Sequence, residues 1–422
     1  MASQKTPSLV QLAEQILAAA KDLEAAVSAP PDFQNDTLTE IPESLSGTRK
    51  ALIDATSTLN ALARGSTGTY GRVPHLSCYQ WLDQISLLTL YRFRIPQAVP
   101  LDSSISYADL AHRCALDTTQ LSRLLRCAMA AHLLHSPTPG QIAHTADIRL
   151  LATDPTMWDF VGCTLTELRP AGFAFLDAMA QWPGSQELSQ TAWNACSKTP
   201  KTFYEDVLGD SERARRVGGM IVQATAEGGR EARLLPGAYP WAGLGEGATV
   251  VDVGGGNGDV SFEPAKVHSG LQFVVQDLPG VVMEGEKGLP EELRDHVRFM
   301  GHDFFQPQPV HGADALLFAK VFHSWSDKYA VSVVRALVPA LKPGARVLIL
   351  ERALPERGTV SEVEYKEALA MDLMMMSLFN AGERTLEEMS GLFERADEKL
   401  KFRKAWKVEG TIYNLYEAIW TP

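Results

Sequence analysis

The chain of 422 residues lacks most of the features that assign a protein to a special class. It has only 5 cysteines and no C-x-x-C pair, which argues against a disulfide framework and against a zinc site. No apolar run approaches the roughly 20 residues needed to cross a bilayer, and the first residues show no secretory signal. We therefore expect a cytoplasmic protein with buried thiols, without a metal ion and without a membrane partner.

Positive charge is also scarce. The chain has 39 Lys and Arg against 51 Asp and Glu, which gives a net charge of -12 at pH 7. Because binding to DNA phosphates needs concentrated Lys and Arg, this balance is unfavourable for a nucleic-acid partner. The hydrophobic content of 45% is that of an ordinary globular protein with material for two or three domains.

Two helical zones occupy the first half of the chain. Residues 1–70 predict long helices whose apolar faces have no partner nearby in sequence, which favours burial against a second copy of the chain. Residues 71–205 predict a winged helix, in which Ser106 and Asp117 cap successive helices and a Pro/Gly turn joins two short strands. A winged helix is typical of DNA-binding regulators, but its second helix carries only Arg123 and Arg126, which disfavours DNA readout.

Residues 206–422 alternate apolar strand-like runs with helical segments. This pattern predicts an α/β domain with a parallel sheet covered on both faces. The runs are ATVVDVGGG, LQFVVQDLP, VRFMGHDFF, ADALLFAKVFH and ARVLILERAL, followed by LKFRKAWKVEG and TIYNLYEAIW. The last two predict an antiparallel hairpin. A mostly parallel, seven-stranded, Rossmann-like sheet closed by such a hairpin is the plan of a class I methyltransferase.

The first of these strands runs directly into a glycine-rich loop. Asp252 is followed, after one residue, by Gly254, Gly255 and Gly256. Glycines let backbone amides approach a ligand that any Cβ would push away, although a tight turn alone would also explain them. The spacing is neither G-x-G-x-x-G nor GxxxxGK[ST], so neither a pyrophosphate nor a triphosphate is the favoured ligand.

Two further strand ends supply polar and aromatic side chains. Asp277, followed by Leu278, is placed to accept both ribose hydroxyls of a nucleoside, although it could instead cap a helix that starts at Pro279. Asp303 and Phe304 suit the amino group and the face of an adenine. The glycine loop, the ribose acid and the adenine pocket together predict S-adenosylmethionine (SAM) as the cofactor.

Several ordered motifs resemble those of the fungal and plant small-molecule O-methyltransferase family. They are VVDVGGGNGDVS, VVQDLPGVV, HDFFQPQPV, FHSWSDKYAV, ALKPGARVLILERALPE and MDLMMMSLFNAGERTLEEM. The resemblance is strong from about 245 to 400, and the winged-helix zone resembles that family's dimerisation domain. It implies SAM as the cofactor, a small-molecule substrate, and a homodimer whose N-terminal helices interlock and whose partner chain helps to wall the substrate pocket.

The resemblance also implies a catalytic set. His323 occupies the position of the family's general base, which removes the proton from a phenolic or enolic hydroxyl. An imidazole suits this task because its ordinary pKa, about 6.5, lies close to working pH. Glu351 and Glu383 match the two family acids that orient and flank this histidine. Considered singly, both glutamates could be helix caps or solvated charges.

Three residues near His323 depart from the family pattern. Ser324 stands where Asp is usual, Lys320 where Trp or Asn is common, and Ala319 where Arg or Lys is usual. In having the basic residue Lys320, the chain resembles the pericyclase branch of the family. Those proteins keep SAM bound but steer dehydration and Alder-ene or hetero-Diels–Alder cyclisation of polyketide-derived quinone methides. Lys320 would then donate a hydrogen bond to the substrate. Alternatively, Lys320 pairs with Glu351 or with Glu383 and does no chemistry.

Other side chains could contribute to a pocket. His144, in the wing, is either a second polar contact or a structural histidine bonded to the wing backbone. Apolar side chains that fit a large, flat, polyketide-like substrate, or that could equally be core, are Trp158, Phe160, Trp193, Phe203, Met371, Met375 and Phe379. The three departures favour a SAM-bound pericyclase slightly over O-methylation with His323 as base, and a DNA-binding regulator is the third hypothesis.

Overall fold

The computed structural model describes residues 7–66, 68 and 71–422, without the side chains of residues 74, 78, 224–228 and 230. The chain forms two compact units. The helical unit comprises the described residues up to Thr166 with 215–221 and 357–366, and the sheet unit comprises 167–214, 222–356 and 367–422. The division at 1–70, 71–205 and 206–422 stays a prediction, and the structure groups 167–205 with the sheet unit.

The helical unit contains nine helices in its first 166 residues as far as the structure describes them. They are α1 (Leu9–Glu24), α2 (Ser46–Arg64), α3 (Arg72–Cys78), α4 (Gln80–Arg92), α5 (Ile95–Ala98), α6 (Tyr107–Arg113), α7 (Thr118–Ala130), α8 (Ala146–Thr153) and α9 (Pro155–Cys163). Helix α1 packs against α2, so the expectation that these helices have no partner nearby in sequence is wrong. It buries Leu12 and Leu23, whereas Leu9 and Leu17 remain 50% and 57% exposed, so the described unit covers only part of the predicted apolar face.

The predicted winged helix is present. Ser106 Oγ accepts the backbone N–H of Asp109 at 3.1 Å, and Asp117 Oδ1 accepts that of Gln120 at 2.8 Å, so both predicted caps are confirmed. The wing consists of β2 (Leu134–His135) and β3 (Gln141–His144), which pair antiparallel, and β3 also pairs with β1 (Ile105–Ser106). The apolar faces of these elements form one core.

The thiols are less buried than expected. Cys163 is buried, but Cys114, Cys127 and Cys196 are half-buried, since each lies on a helix face or end that is only partly covered. The side chain of Cys78 lies outside the described residues. In the described part of the chain, no group of three His, Cys, Asp or Glu side chains is placed to hold a metal ion. No described helix is long and apolar enough to cross a membrane.

The sheet unit contains a seven-stranded sheet. Its strands are β4 (Thr249–Val253), β5 (Gln272–Asp277), β6 (Val297–Gly301), β7 (Ala315–Ala319), β8 (Arg346–Arg352), β9 (Leu400–Lys407) and β10 (Tyr413–Trp420). Their order is β6-β5-β4-β7-β8-β10-β9; β10 runs antiparallel to both of its neighbours, β8 and β9, and the other described pairs of strands in this sheet are parallel. The predicted parallel sheet with a terminal hairpin is therefore confirmed.

Helices accompany the strands in sequence. The remaining helices are α10 (Arg169–Phe173), α11 (Phe175–Gln181), α12 (Ala192–Ser197), α13 (Phe203–Val207), α14 (Ser211–Ala238), α15 (Asp259–Val267), α16 (Pro279–Lys287), α17 (Asp327–Leu337), α18 (Glu362–Phe379) and α19 (Leu386–Ala396). Successive strand residues face opposite sides, so Val251 and Val253 belong to one core and Val250 to the other. Because β4 to β8 are parallel, the residues after these strands gather at one sheet edge.

Candidate active site

The loop after β4 depends on glycine for its backbone conformation. Gly254, Gly256 and Gly258 have φ values of 74°, 56° and 85°, a region that residues with a side chain rarely adopt. The backbone N–H groups of Gly254 and Gly255 donate to the Gln276 carbonyl at 2.8 and 3.0 Å. These bonds tie the loop to the end of β5, and nothing lies within 4 Å of the place where a Cβ on Gly256 would stand.

Asp252 lies directly beneath this loop. A Cβ on Gly255 would lie 2.7 Å from the Asp252 carboxylate and 2.8 Å from Val275. Asp252 is fully buried, its Oδ2 accepts the Ser261 hydroxyl at 2.6 Å, and its Oδ1 has no hydrogen-bond partner among the described residues. Burial raises the pKa of Asp252 to about 6, although the Ser261 hydrogen bond opposes the shift. Asp252 therefore supports the loop, and its predicted contact with the cofactor stays a prediction.

Asp277 connects the glycine loop to the end of β5. Its Oδ2 accepts the backbone N–H of Gly256 at 3.0 Å, and its Oδ1 accepts that of Leu278 at 2.7 Å. Helix α16 begins at Pro279 without a side-chain cap, so the alternative of a capping role is not what the structure shows. Leu278 is 55% exposed. The carboxylate is thus fixed next to the glycine loop.

The residues after β6 complete this edge. Asp303 is exposed, and its Oδ1 accepts the backbone N–H of Phe305 at 3.0 Å. The ring of Phe304 lies 3.5 Å from the place where a Cβ on Gly254 would stand, and it meets Trp325 edge-on at 5.6 Å. Four predicted cofactor positions, namely the glycine loop, Asp277, Asp303 and Phe304, are therefore neighbours in space.

This set of groups fits SAM. The glycine loop offers backbone that a ligand can approach at Gly256, where nothing lies within 4 Å of the Cβ position, while Gly255 leaves no room for a side chain. Asp277 provides a fixed acceptor suited to ribose hydroxyls, Asp303 an exposed acceptor suited to an amino group, and Phe304 an aromatic face. Such a ligand does not require Lys or Arg side chains to bind a phosphate.

His323 lies in a short turn after β7. The turn is a 3-10 helix, Phe322–Ser324, and the imidazole Nδ1 lies 2.9 Å from Glu351 Oε2. The other oxygen, Oε1, accepts the backbone N–H groups of Phe322 at 2.5 Å and of His323 at 3.2 Å. Glu351 is 1% exposed, whereas the His323 side chain is 27% exposed. This arrangement assigns the proton to Nδ1 and leaves the Nε2 lone pair available.

The charges around His323 oppose the effect of its burial. Burial alone lowers the pKa of His323, but the Glu351 carboxylate, as charge and as acceptor, and the charge of Glu383 outweigh it. The charge of Lys320 lowers the pKa only weakly. The net result is a pKa of His323 above its ordinary value of 6.5. The imidazole is consequently a stronger proton acceptor than a free histidine.

Glu383 is a buried acid close to this pair. It is 8% exposed, and its Oε2 has no hydrogen-bond partner in the described part of the chain. Burial and the charge of Glu351 raise the pKa of Glu383 to about 7, while His323 and Arg352 act to lower it. Near neutral pH this carboxyl is therefore partly protonated, and it can donate as well as accept a hydrogen bond.

Lys320 does not make either of the two contacts considered for it. Its Nζ lies 2.8 Å from Oε1 of Glu231, a residue of α14 that is 1% exposed. Lys320 has a φ of 58°, and its backbone N–H donates to the Leu350 carbonyl at 2.9 Å. The predicted pairing with Glu351 or Glu383 is therefore wrong, because the ammonium is bound by the carboxylate of Glu231 on α14 instead. Glu231 lies 89 residues earlier, and no local signal identifies it.

Arg384 is a second residue that the sequence reasoning missed. Its guanidinium is buried and donates to the Phe322 carbonyl at 2.8 Å, to the Trp325 carbonyl at 2.7 Å and to Asp327 Oδ1 at 2.9 Å. It therefore contacts both ends of the turn that carries His323. The one feature of the sequence that could have identified Arg384 as a site residue is its position directly after Glu383.

His144 belongs to the helical unit. It is 7% exposed, and its Nε2 lies 2.9 Å from the carbonyl of Pro96 rather than from the wing backbone. Burial lowers the pKa of His144. This contact is typical of a structural histidine, and a role in the site stays a prediction.

Most of the predicted pocket aromatics are buried. Trp193, Phe203 and Phe379 pack edge-on, with ring centroids 5.0 and 5.6 Å apart, and are at most 6% exposed. Trp158 and Met375 are buried as well. This is the packing expected of a core, so their contact with a substrate stays a prediction.

The fold and the gathered groups define a class I, SAM-dependent methyltransferase. A family model described as the O-methyltransferase domain matches residues 241–397. The O-methyltransferase AMT9 of Alternaria alternata is 36% identical, over 89% of this chain and 86% of that protein. The chain belongs to the O-methyltransferase family. The predictions of family and of SAM as cofactor are thereby confirmed.

Other known proteins are also similar. The chlorophenol O-methyltransferase of Trichoderma longibrachiatum is 32% identical, over 94% of this chain and 84% of that protein. The crystal structure of OxaC in complex with SAH and oxaline has a TM-score of 0.74 at 21% identity and covers 98% and 99% of the two chains. A structure titled a pericyclic reaction enzyme has a TM-score of 0.68 at 18% identity and covers 98% and 100%. At such identities, both structures establish the fold alone.

Proposed function

We propose that this protein transfers the methyl group of SAM to a phenolic or enolic hydroxyl of an aromatic, polyketide-like small molecule in secondary metabolism. The observation that carries the proposal is the geometry of His323. Its Nδ1 is held by buried Glu351, which leaves the lone pair that can accept a proton on Nε2. Its turn lies beside the glycine loop, because Val321 Cγ2 lies 3.0 Å from the Cβ position of Gly254.

The residues of the chain have distinct tasks in this reaction. His323 Nε2 accepts the hydroxyl proton while the hydroxyl oxygen becomes the nucleophile, and Glu351 stabilises the imidazolium that results. Glu383, partly protonated near pH 7, donates a hydrogen bond to the substrate oxygen or restrains the imidazolium. Bound SAM supplies an electrophilic methyl group on a sulfonium, which leaves as a neutral thioether. The glycine loop, Asp277, Asp303 and Phe304 hold and orient it.

The pericyclase interpretation is less well supported. It required the Lys320 ammonium to donate to a substrate, but that ammonium is engaged by buried Glu231 at 2.8 Å. The curated relatives at 29–37% identity are O-methyltransferases by name. The pericyclic reaction enzyme is similar only at 18% identity. Methyl transfer, the alternative to the pericyclase, is therefore the better-supported hypothesis.

Two assays distinguish these reactions. The protein is incubated with SAM and either a chlorophenol or orcinol, and separately with an unsaturated hydroxy-pyridone alcohol. S-adenosylhomocysteine and product mass are followed together. One S-adenosylhomocysteine for each product heavier by one methyl group is expected. Cyclised product with SAM unconsumed would contradict the proposal.

We further propose a homodimer in which the N-terminal helices take part. Support comes from large apolar side chains of α1 and α2 that are exposed in a single chain: Leu9, Val10, Leu17, Ile53 and Leu62 are 42–67% exposed. Light scattering after size exclusion should give twice the chain mass of 46.1 kDa. A variant with Val10→Glu and Leu17→Glu should give the monomer mass, and a dimer that persists would contradict a role for this helix.

A further inference from the structure

The turn that carries His323 has little local support. It is a 3-10 helix of three residues, and the preceding residue, Val321, provides no side-chain cap. Its two described backbone hydrogen bonds of the 3-10 type run from Ser324 N–H to the Val321 carbonyl at 3.3 Å and from Trp325 N–H to the Phe322 carbonyl at 3.1 Å. So short a helix does not hold its conformation alone. Groups from elsewhere in the sheet unit must therefore fix the position of the imidazole.

Arg384 supplies that support with three different hydrogen bonds. Nη1 reaches the Phe322 carbonyl, Nη2 the Trp325 carbonyl, and Nε the Asp327 carboxylate, at 2.7–2.9 Å. The first two acceptors lie on either side of His323 in sequence, and the third is the first residue of α17. A planar guanidinium presents its donors on three separate nitrogens in fixed directions, whereas an ammonium presents three rotatable donors on a single nitrogen and cannot reach acceptors that are spread in this way.

The backbone of Arg384 is itself anchored to the strand that carries Glu351. The Arg384 carbonyl accepts the Leu354 N–H at 3.0 Å, and Arg384 forms a bridge with Ala353, two residues beyond Glu351. On its other side, the Glu383 N–H donates to Asp372 Oδ1 at 3.0 Å. Arg384 is 6% exposed. It thus connects the end of β8 to the turn, the two segments that must meet for His323 to contact Glu351.

We propose that Arg384 is a positioning residue that sets the distance and direction of the His323 imidazole relative to Glu351. This role of Arg384 rests on the proposed function in one respect, namely that His323 is the general base. The charged groups that face His323 are Glu351 on β8, Glu383 beside Arg384, and Lys320 after β7. If the turn shifts away from Glu351, the main interaction that raises the pKa of His323 weakens.

The test needs a readout that does not depend on activity. Neutral imidazole reacts with diethyl pyrocarbonate, so the rate of modification of His323 against pH, followed by peptide mass spectrometry, gives its pKa. In the native protein the midpoint should lie above 6.5. Arg384→Lys should lower the midpoint and reduce methyl transfer by about 100-fold, the usual cost of a misplaced catalytic group. The Kd for SAM should stay the same.

Arg335→Lys is the matched control. Arg335 also donates to two backbone carbonyls of the sheet unit, those of Ala396 at 3.1 Å and Arg395 at 2.8 Å, but these lie at the end of α19. This variant should lower the melting temperature without moving the His323 midpoint. If the His323 midpoint of Arg384→Lys equals that of the native protein and of Arg335→Lys, Arg384 does not position the imidazole.

Two further variants separate the possible failures. If Arg384→Lys does not fold, Asp327→Asn replaces it, because Asp327 is 41% exposed and orients the same guanidinium. A smaller downward shift of the midpoint is expected, and no shift would overturn the proposal. His323→Ala tests the proposed function separately. If that variant stays active while Arg384→Lys still moves the midpoint, the positioning role stands and the role of His323 as base falls.

Discussion

The two sides of the site are built in different ways. The glycine loop is held mainly through its own backbone by the end of the adjacent strand β5, since the N–H groups of Gly254 and Gly255 donate to the Gln276 carbonyl and that of Gly256 donates to the Asp277 carboxylate. The His323 turn is held by side chains from distant segments, namely Glu351 and Arg384. The SAM side is therefore built largely from backbone groups, which a side-chain substitution does not remove. The position of His323 depends instead on single side chains. The catalytic side should therefore respond more strongly to side-chain substitution.

The largest effect is expected from His323→Ala. Loss of a general base reduces the rate by about 10²–10⁴-fold. The Kd for SAM should stay unchanged, because the glycine loop has its own support. Single-turnover rates with orcinol and calorimetric SAM binding check both statements. A large loss of SAM affinity would show that the two sides are not independent.

A large effect on stability is expected from Lys320→Met. The substitution leaves the Glu231 carboxylate, 1% exposed, without its cation at 2.8 Å. Breaking a buried ion pair in this way costs about 3 kcal/mol of unfolding free energy. Denaturant unfolding measures it.

The double variant Lys320→Met with Glu231→Gln is the control for this prediction, since it removes the unpaired charge. It should recover most of the lost stability. If Lys320→Met alone is as stable as the native protein, the ammonium is not needed by Glu231 and is available for a substrate, which would revive the pericyclase hypothesis.

A moderate effect is expected from Gly255→Ala on the cofactor side. The added Cβ would lie 2.7 Å from the Asp252 carboxylate and 2.8 Å from Val275, which forces the loop to move. Overpacking of this kind costs about 1–3 kcal/mol, so the Kd for SAM should rise about tenfold or more. Gly391→Ala in α19 is the control, because nothing lies within 4 Å of its Cβ position. Equal SAM affinity in both variants would contradict the described loop.

The smallest effect is expected from Glu383→Gln. Its pKa of about 7, above the ordinary 4.5, means that ionisation of this buried carboxyl opposes folding as the pH rises. The glutamine variant should therefore gain more stability at pH 8 than at pH 5, and its methyl-transfer rate should fall less than tenfold. Thermal unfolding at the two pH values checks the sign. A gain that is larger at pH 5 would show that Glu383 is ionised at low pH.

The difference between the two sides also explains what could be predicted from the sequence. The sheet, the caps at Ser106 and Asp117, and the glycine loop follow from short local patterns; the sheet and the caps are confirmed, and the loop has the positive φ values that require glycine. In contrast, the hydrogen bond of Arg384 to the Phe322 carbonyl joins residues 62 apart in the chain, and that of Lys320 to Glu231 joins residues 89 apart. Neither leaves a local pattern, so the partner of Lys320 and the role proposed for Arg384 required the three-dimensional structure.

The pH dependence of methyl transfer tests the central claim most directly. Single-turnover rates are measured from pH 5 to 9 with orcinol, whose hydroxyls, like that of tyrosine, titrate near about pH 10. Because His323 must be neutral to accept a proton and its pKa is raised, the rate should climb with pH and reach half its maximum above 6.5. Glu351→Gln should be slower by about 100-fold and should move this midpoint down. A rate independent of pH, or a midpoint that Glu351→Gln leaves in place, would contradict the account.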